Sequence, residues 1–136
     1  MRRLENPVPK VFICIRLKPK SKNPVKAWFE FRNNLRRVRT AARYAVLHGY
    51  DPEATIIYYT QFLDAFSHFE RDLGRKLGQF RLYNCSELWD IRDEGEEPSD
   101  GMKNDIEFAK VNDIKIKSFN FSEIKDWVKN YDKTSH

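Results

Sequence analysis

The chain has 136 residues, 40% of them apolar and 14% aromatic, which suits one domain with a sizeable core and argues against disorder. Lys and Arg exceed Asp and Glu by five, and the excess sits in residues 1–50, where thirteen basic residues stand against only Glu5 and Glu30. No apolar run reaches the length of a membrane span and no signal-peptide pattern opens the sequence. The two distant cysteines, Cys14 and Cys85, exclude a disulfide scaffold, so a reducing cytoplasm is expected. Neither these cysteines nor His48, His68 and His136 have the spacing of a metal site, and no cofactor motif is present.

Residues 1–9, with two prolines, read as a loose lead-in. Val11-Phe12-Ile13-Cys14-Ile15 is a continuous, β-branched apolar run that predicts a strand covered on both faces. Turn residues from Lys18 to Pro24 end it. A long helix is predicted from Val25 to His48, its apolar face formed by Trp28, Phe31, Leu35, Val38, Ala42 and Ala45 and its stop by Gly49. Arg32, Arg36, Arg39 and Arg43 form a ridge on another face of that helix. It is either a solvated surface or a binding site for an anionic partner, whereas Arg37 lies off it.

Pro52 to Tyr59 suits a short strand and its loop, with Thr55-Ile56-Ile57 β-prone. Phe62 to Tyr83 reads as mainly helical, with Phe66, Phe69, Leu73, Leu77 and Phe80 on one face and close packing allowed at Gly74 and Gly78. Leu88 to Ile91 predicts another strand, interrupted by Asp90 and followed by Arg92. The acidic stretch from Asp93 to Asp100 predicts an exposed loop. Ser99 or Asp100 caps a helix from Gly101 to Val111. Ile114 to Lys117 alternates as an edge strand with its lysines outward. Ser122-Glu123 opens a last helix bearing Ile124, Trp127 and Val128, fraying after Tyr131.

This alternation predicts an α/β fold, an open and mainly parallel sheet of four to five strands with helices on both faces. Ligands bind such sheets beyond the carboxyl ends of the strands. That rule selects Arg16 and Leu17, Thr55 to Gln61, and Arg92 to Gly101.

P-loop, dinucleotide, nucleophile-elbow and zincin motifs are absent. Four blocks occur in order instead, namely Gly49-Tyr50-Asp51-Pro52-Glu53-Ala54, Tyr59-Thr60-Gln61-Phe62-Leu63-Asp64, Cys85-Ser86-Glu87-Leu88-Trp89 and Ser99-Asp100-Gly101-Met102-Lys103-Asn104-Asp105-Ile106. Over residues 10–118 the chain resembles the nucleoside 2-deoxyribosyltransferase-like superfamily, in particular its small bacterial and phage members. The resemblance implies a flavodoxin-like (Rossmann-like) fold and a site for N-glycosidic chemistry, with residues 119–136 as a C-terminal helix and tail. In that family an acid four residues after the glycine attacks the anomeric carbon, and a carboxylate suits an oxocarbenium-like transition state. By position this is Asp105, where the family usually carries Glu; the bland reading is a first-turn acid complementing the helix dipole. Asp93 is the candidate second acid or a simple loop charge. Arg16, Tyr59, Gln61, Asp64, Ser99, Gly101 and Met102 are the candidate substrate-binding residues, Tyr59 by stacking and Gln61 by hydrogen bonding. Tyr59 could equally pack in the core, and Asp64 could equally be an acid at a helix start.

The first expectation is therefore a nucleoside- or nucleotide-binding protein with N-glycosidic activity. The alternative is a catalytically lapsed fold that binds nucleic acid or an acidic protein through its basic third, as a phage-type inhibitor of a host nucleic-acid enzyme would. A homo-oligomer is also expected, either with its oppositely charged ends in contact or, as the resemblance implies, with one subunit completing another's pocket.

Overall fold

The computed structural model describes residue 4 and residues 6–64 and 66–135; the rest of the expected lead-in, and His136, lie outside the described residues. The order is β1 (Lys10–Cys14), α1 (Pro24–Leu47), β2 (Asp51–Glu53), α2 (Thr55–Thr60), α3 (His68–Tyr83), β3 (Glu87–Arg92), α4 (Asp100–Val111), β4 (Lys115–Asn120) and α5 (Phe121–Ser135). All strand pairs are parallel, in the order β2-β1-β3-β4. The chain leaves β1 for β2 on one side and returns across it to β3, so the β1/β3 boundary is the topological switch point.

Helices cover both faces because every second residue of β1 enters a different core. Val11, Ile13 and Ile15 join Trp89, Ile91, the α1 residues Val38, Ala41 and Ala45, and Phe121 and Ile124 of α5. Phe12 and Cys14 face the other way, onto Leu82 of α3, Cys85, Leu88, and Met102 and Ala109 of α4.

Several expected elements are corrected. The line that α1 buries is Asn34, Val38, Ala41 and Ala45, and Trp28 stays half exposed. Small Ala41 and Ala45 let the helix lie close to the sheet. Asn23 caps α1 by accepting from the Val25 and Lys26 N–H groups, and Gly49, at φ 87°, turns the chain away after His48. Thr55 to Ile57 are helical, not a strand. Ile56 and Ile57 pack on the α1–α5 core from a short helix, and that packing overrides their β-preference.

The helix expected from Phe62 starts only at His68. Asp64 Oδ1 accepts from the Phe66 N–H, and Ser67 caps the helix by accepting from the Glu70 N–H. Its glycines do permit close packing, since a Cβ at Gly74 or Gly78 would come within 3.4 Å of Leu63 or Thr55. Lys115 is exposed, and Lys117, about a third exposed, pairs with Glu87 of the neighbouring strand (3.1 Å). The last helix runs on to Ser135, held by Trp127 stacked on Tyr131 and by the Arg43 guanidinium donating to Asp132 (2.9 Å).

Candidate functional site

The β1–α1 loop and the β3–α4 turn meet beyond the carboxyl ends of β1 and β3. Asn34 Nδ2 donates to the Leu17 carbonyl (2.9 Å), and Glu30 Oε2 accepts from the backbone N–H groups of Lys20 and Ser21 (2.8 and 3.1 Å). Both side chains belong to the first half of α1, so the helix fixes the loop. Gly95, at φ 77°, reverses the acidic turn and returns Glu96 over the sheet edge. The expected exposed loop is thus exposed only in part, because the Glu96 side chain is just 7% accessible.

Glu96 organises the site. Its Oε1 accepts from the Asp93 N–H (2.8 Å) and from Arg37 Nη2 (3.4 Å), and its Oε2 stands 3.9 Å from Arg16 Nε. Arg37 also reaches Asp93 (3.3 Å) and lies over the Phe121 ring. The Nε atoms of Arg16 and Arg37 are buried and have no hydrogen-bond partner among the described residues. Around this network lies a cleft of about 380 Å³ lined by Arg16, Lys20, Glu30, Asn34, Arg37 and residues 93–96. Replacing Glu96 by Ala should therefore lower stability by about 2 kcal/mol, since two largely buried guanidinium groups lose their shared acceptor. Glu96→Gln, which keeps the Asp93 bond, should lose roughly half as much in urea denaturation.

A second cleft, of about 320 Å³, opens on the β4 side of the same turn and includes Asp90, Arg92, Ser118 and Asn120. The two residues that interrupt the strand are partners. Asp90 is 5% exposed and accepts from Arg92 Nε (3.0 Å) and Nη2 (2.7 Å). Cys14 sits beside Asp90 in register and donates to the Met102 carbonyl at a long 3.9 Å. Burial, and then the Asp105 and Asp90 carboxylates, hold its thiol well above the ordinary value; burial pushes the Cys85 thiol up to about 12. Both are therefore thiols rather than reactive thiolates at neutral pH.

Asp105, on the second turn of α4, lines neither cleft; its carboxyl lies toward Cys14 and Arg75 of α3. Ser99 caps that helix by accepting from the Met102 N–H (3.2 Å), Asp100 and Gly101 follow in its first turn, and the Met102 side chain is core. Burial raises the Asp105 carboxyl to about 7, against the opposing pull of Arg75 on α3. Its folded pKa thus lies above the unfolded value, so folding favours the protonated form. That contribution is intact below about pH 4 and is lost as the pH climbs through about 7. Asp105→Asn removes the penalty. Its stability relative to the parent should improve by about 2–3 kcal/mol between pH 4 and pH 8, as read by denaturant titration.

The remaining expected residues lie elsewhere. Tyr59 packs against Tyr58, Phe62 and Arg81 on the α2–α3 side. Gln61 is exposed, and Asp64 serves the turn that leads into α3. All four ridge arginines are exposed, but Arg32 lies over Trp28, and Arg43 is taken up by Asp132 and Tyr131. Only Arg36 and Arg39 carry side chains without a partner among the described residues. Sequence reasoning missed Arg37, the pairing of Asp90 with Arg92 and the role of Glu96, although Arg92 and Glu96 fall within the stretch it selects. The available signals were Arg37's three-residue spacing from buried Asn34 and the i, i+2 placement of opposite charges on one strand.

Taken together, an all-parallel sheet in this order, helices on both faces and clefts at the switch point define a Rossmann-like α/β protein of the flavodoxin-like kind. The chain belongs to a family described as a domain of unknown function (DUF7768), whose profile matches residues 9–119. No curated protein matches it. Among solved structures it resembles a 2-deoxyribosyltransferase from the psychrotolerant bacterium Bacillus psychrosaccharolyticus. The TM-score is 0.60 at 10% identity, over 82% of this chain and 72% of that one. The relationship to that enzyme is distant and lies at the level of fold. No helix among the described residues is long and apolar enough to cross a membrane, and no group of His, Cys, Asp and Glu among them is placed to hold a metal ion.

Proposed function

We propose that this chain binds a nucleoside or nucleotide where β1, β3 and α4 converge and acts on its N-glycosidic bond through Asp105. The observation that carries the reading is the Asp105 carboxyl itself, half-buried on α4 in a deoxyribosyltransferase-type fold and raised by desolvation to about 7. A carboxyl so placed is partly ionised at neutral pH, and its low-polarity surroundings strengthen its attraction for a cationic sugar.

In the proposed reaction an Asp105 oxygen bonds to C1′ as the C1′–N bond breaks, and the bonding pair leaves with the base. Asp93, at the rim of the larger cleft, takes up a proton from solvent once its ion pair with Arg37 opens and delivers it to that base. Water or a ring nitrogen of a second base then displaces the sugar from Asp105, giving hydrolysis or transfer.

The test is incubation with purine and pyrimidine deoxynucleosides and their 5′-phosphates, followed by chromatography for free base. Release that disappears in Asp105→Ala supports the assignment, whereas release that persists unchanged removes Asp105 as nucleophile. Absence of any deoxynucleoside or deoxynucleotide binding in calorimetry removes the reading as a whole.

A further inference from the structure

The apolar face of α3 points away from the protein's own core. Gly78 and Leu82 are its buried residues, and Gly74 and Gly78 press on Leu63 and Thr55. On the opposite side Phe69, Leu73, Leu77 and Phe80 are 64%, 43%, 45% and 72% exposed. Their steps of four, four and three residues align them as one stripe along the helix. Phe62, Phe66 and Tyr83, also mostly exposed, extend its margins. The surface so formed amounts to roughly 800 Å², beyond the few hundred Å² of patch common on monomers and equal to one side of a standard interface.

The stripe is nearly symmetric about its midpoint, near residue 75. Turning a second copy of α3 end over end sets Phe69 against Phe80 and Leu73 against Leu77, then repeats each contact by symmetry. The same operation brings Asp72 to within one or two residues, about 1.5–3 Å along the axis, of Lys76 of the other copy, twice. Both are exposed, and Asp72 is already steadied by Arg75 at 2.6 Å. A parallel arrangement would instead place Lys76 level with Lys76. We propose that two copies of this chain associate through α3 packed antiparallel on α3 across a two-fold axis. The charge match selects a second copy, because a sequence that complements its own reversal needs no other partner.

Light scattering after size exclusion tests this at about 1 to 100 µM protein in low and in high salt. The expected mass is twice the 16.3 kDa of one chain, retained in high salt because the contact is apolar. Leu73→Glu with Leu77→Glu should give a monomer whose far-UV circular dichroism is unchanged, both sites being exposed. Asp72→Lys or Lys76→Asp alone should weaken the dimer about tenfold, and the two together should restore it. A parent chain that is monomeric at the highest concentration overturns the proposal, as does a dimer that survives the double Leu variant. A dimer that dissociates in salt also overturns it and assigns association to the oppositely charged ends. Failure of the charge swap to restore affinity overturns the antiparallel register.

Discussion

Asp105→Glu is expected to raise the rate of base release by about 10²-fold. An aspartate ends one methylene short of a glutamate on the same helix, so its oxygens stand roughly 1.5 Å back from the sugar, and a misplacement of about 1 Å already costs this much. The Asp105 carboxyl accepts no hydrogen bond from the described residues, so the longer side chain breaks none. Asp105→Asn keeps shape and removes the charge, so release should fall by at least about 10³-fold. The parent rate should climb with pH through about 7, as the raised carboxyl ionises, and this limb should be absent from the Asn variant. Equal rates in the parent and in Asp105→Asn would assign the chemistry to another group. A Glu variant slower than the parent would mean that the sugar lies nearer the helix than the extra methylene allows.

What the sequence makes legible is the part governed by local periodicity. The apolar run at Val11 to Ile15 and the capped start of α4 at Ser99 are readable because a parallel strand and a helix N-terminus have short-range rules. Thr55 to Ile57 mislead because three β-branched residues prefer a strand by only tenths of a kcal/mol each, less than one buried contact contributes. The stripe from Phe66 to Phe80 misleads differently. Its period is right, but period alone does not say whether an apolar face meets its own core or another molecule. At the site, position along the chain leads to Arg16 and Asp93, both of which line the larger cleft. It includes Glu96 only as one of four equivalent loop acids between Asp93 and Glu97. Only the turn at Gly95 decides which of them is folded back onto two arginines, and that is a property of tertiary packing.

Asp90→Ala should lower stability by about 2–3 kcal/mol in guanidinium denaturation at neutral pH. Asp90 is buried and Arg92 is about a third exposed, so the loss is two charge-assisted hydrogen bonds, with solvent screening part of the charge left on Arg92. The damage should extend beyond the pair. Arg92 also donates from Nη1 to the Glu96 carbonyl (3.3 Å), so an Arg92 freed from Asp90 no longer pins the turn that carries Glu96 to Arg16 and Arg37. Substrate affinity should fall along with stability. Replacing both members, as Asp90→Val with Arg92→Leu, should recover most of the stability, because a well-packed apolar pair often equals a buried ionic one. It should not recover affinity, because the contact to the Glu96 carbonyl stays lost. Recovery of both would show that the turn is held by Glu96 alone, whereas recovery of neither would show that the strand needs this charge pair to choose its packing.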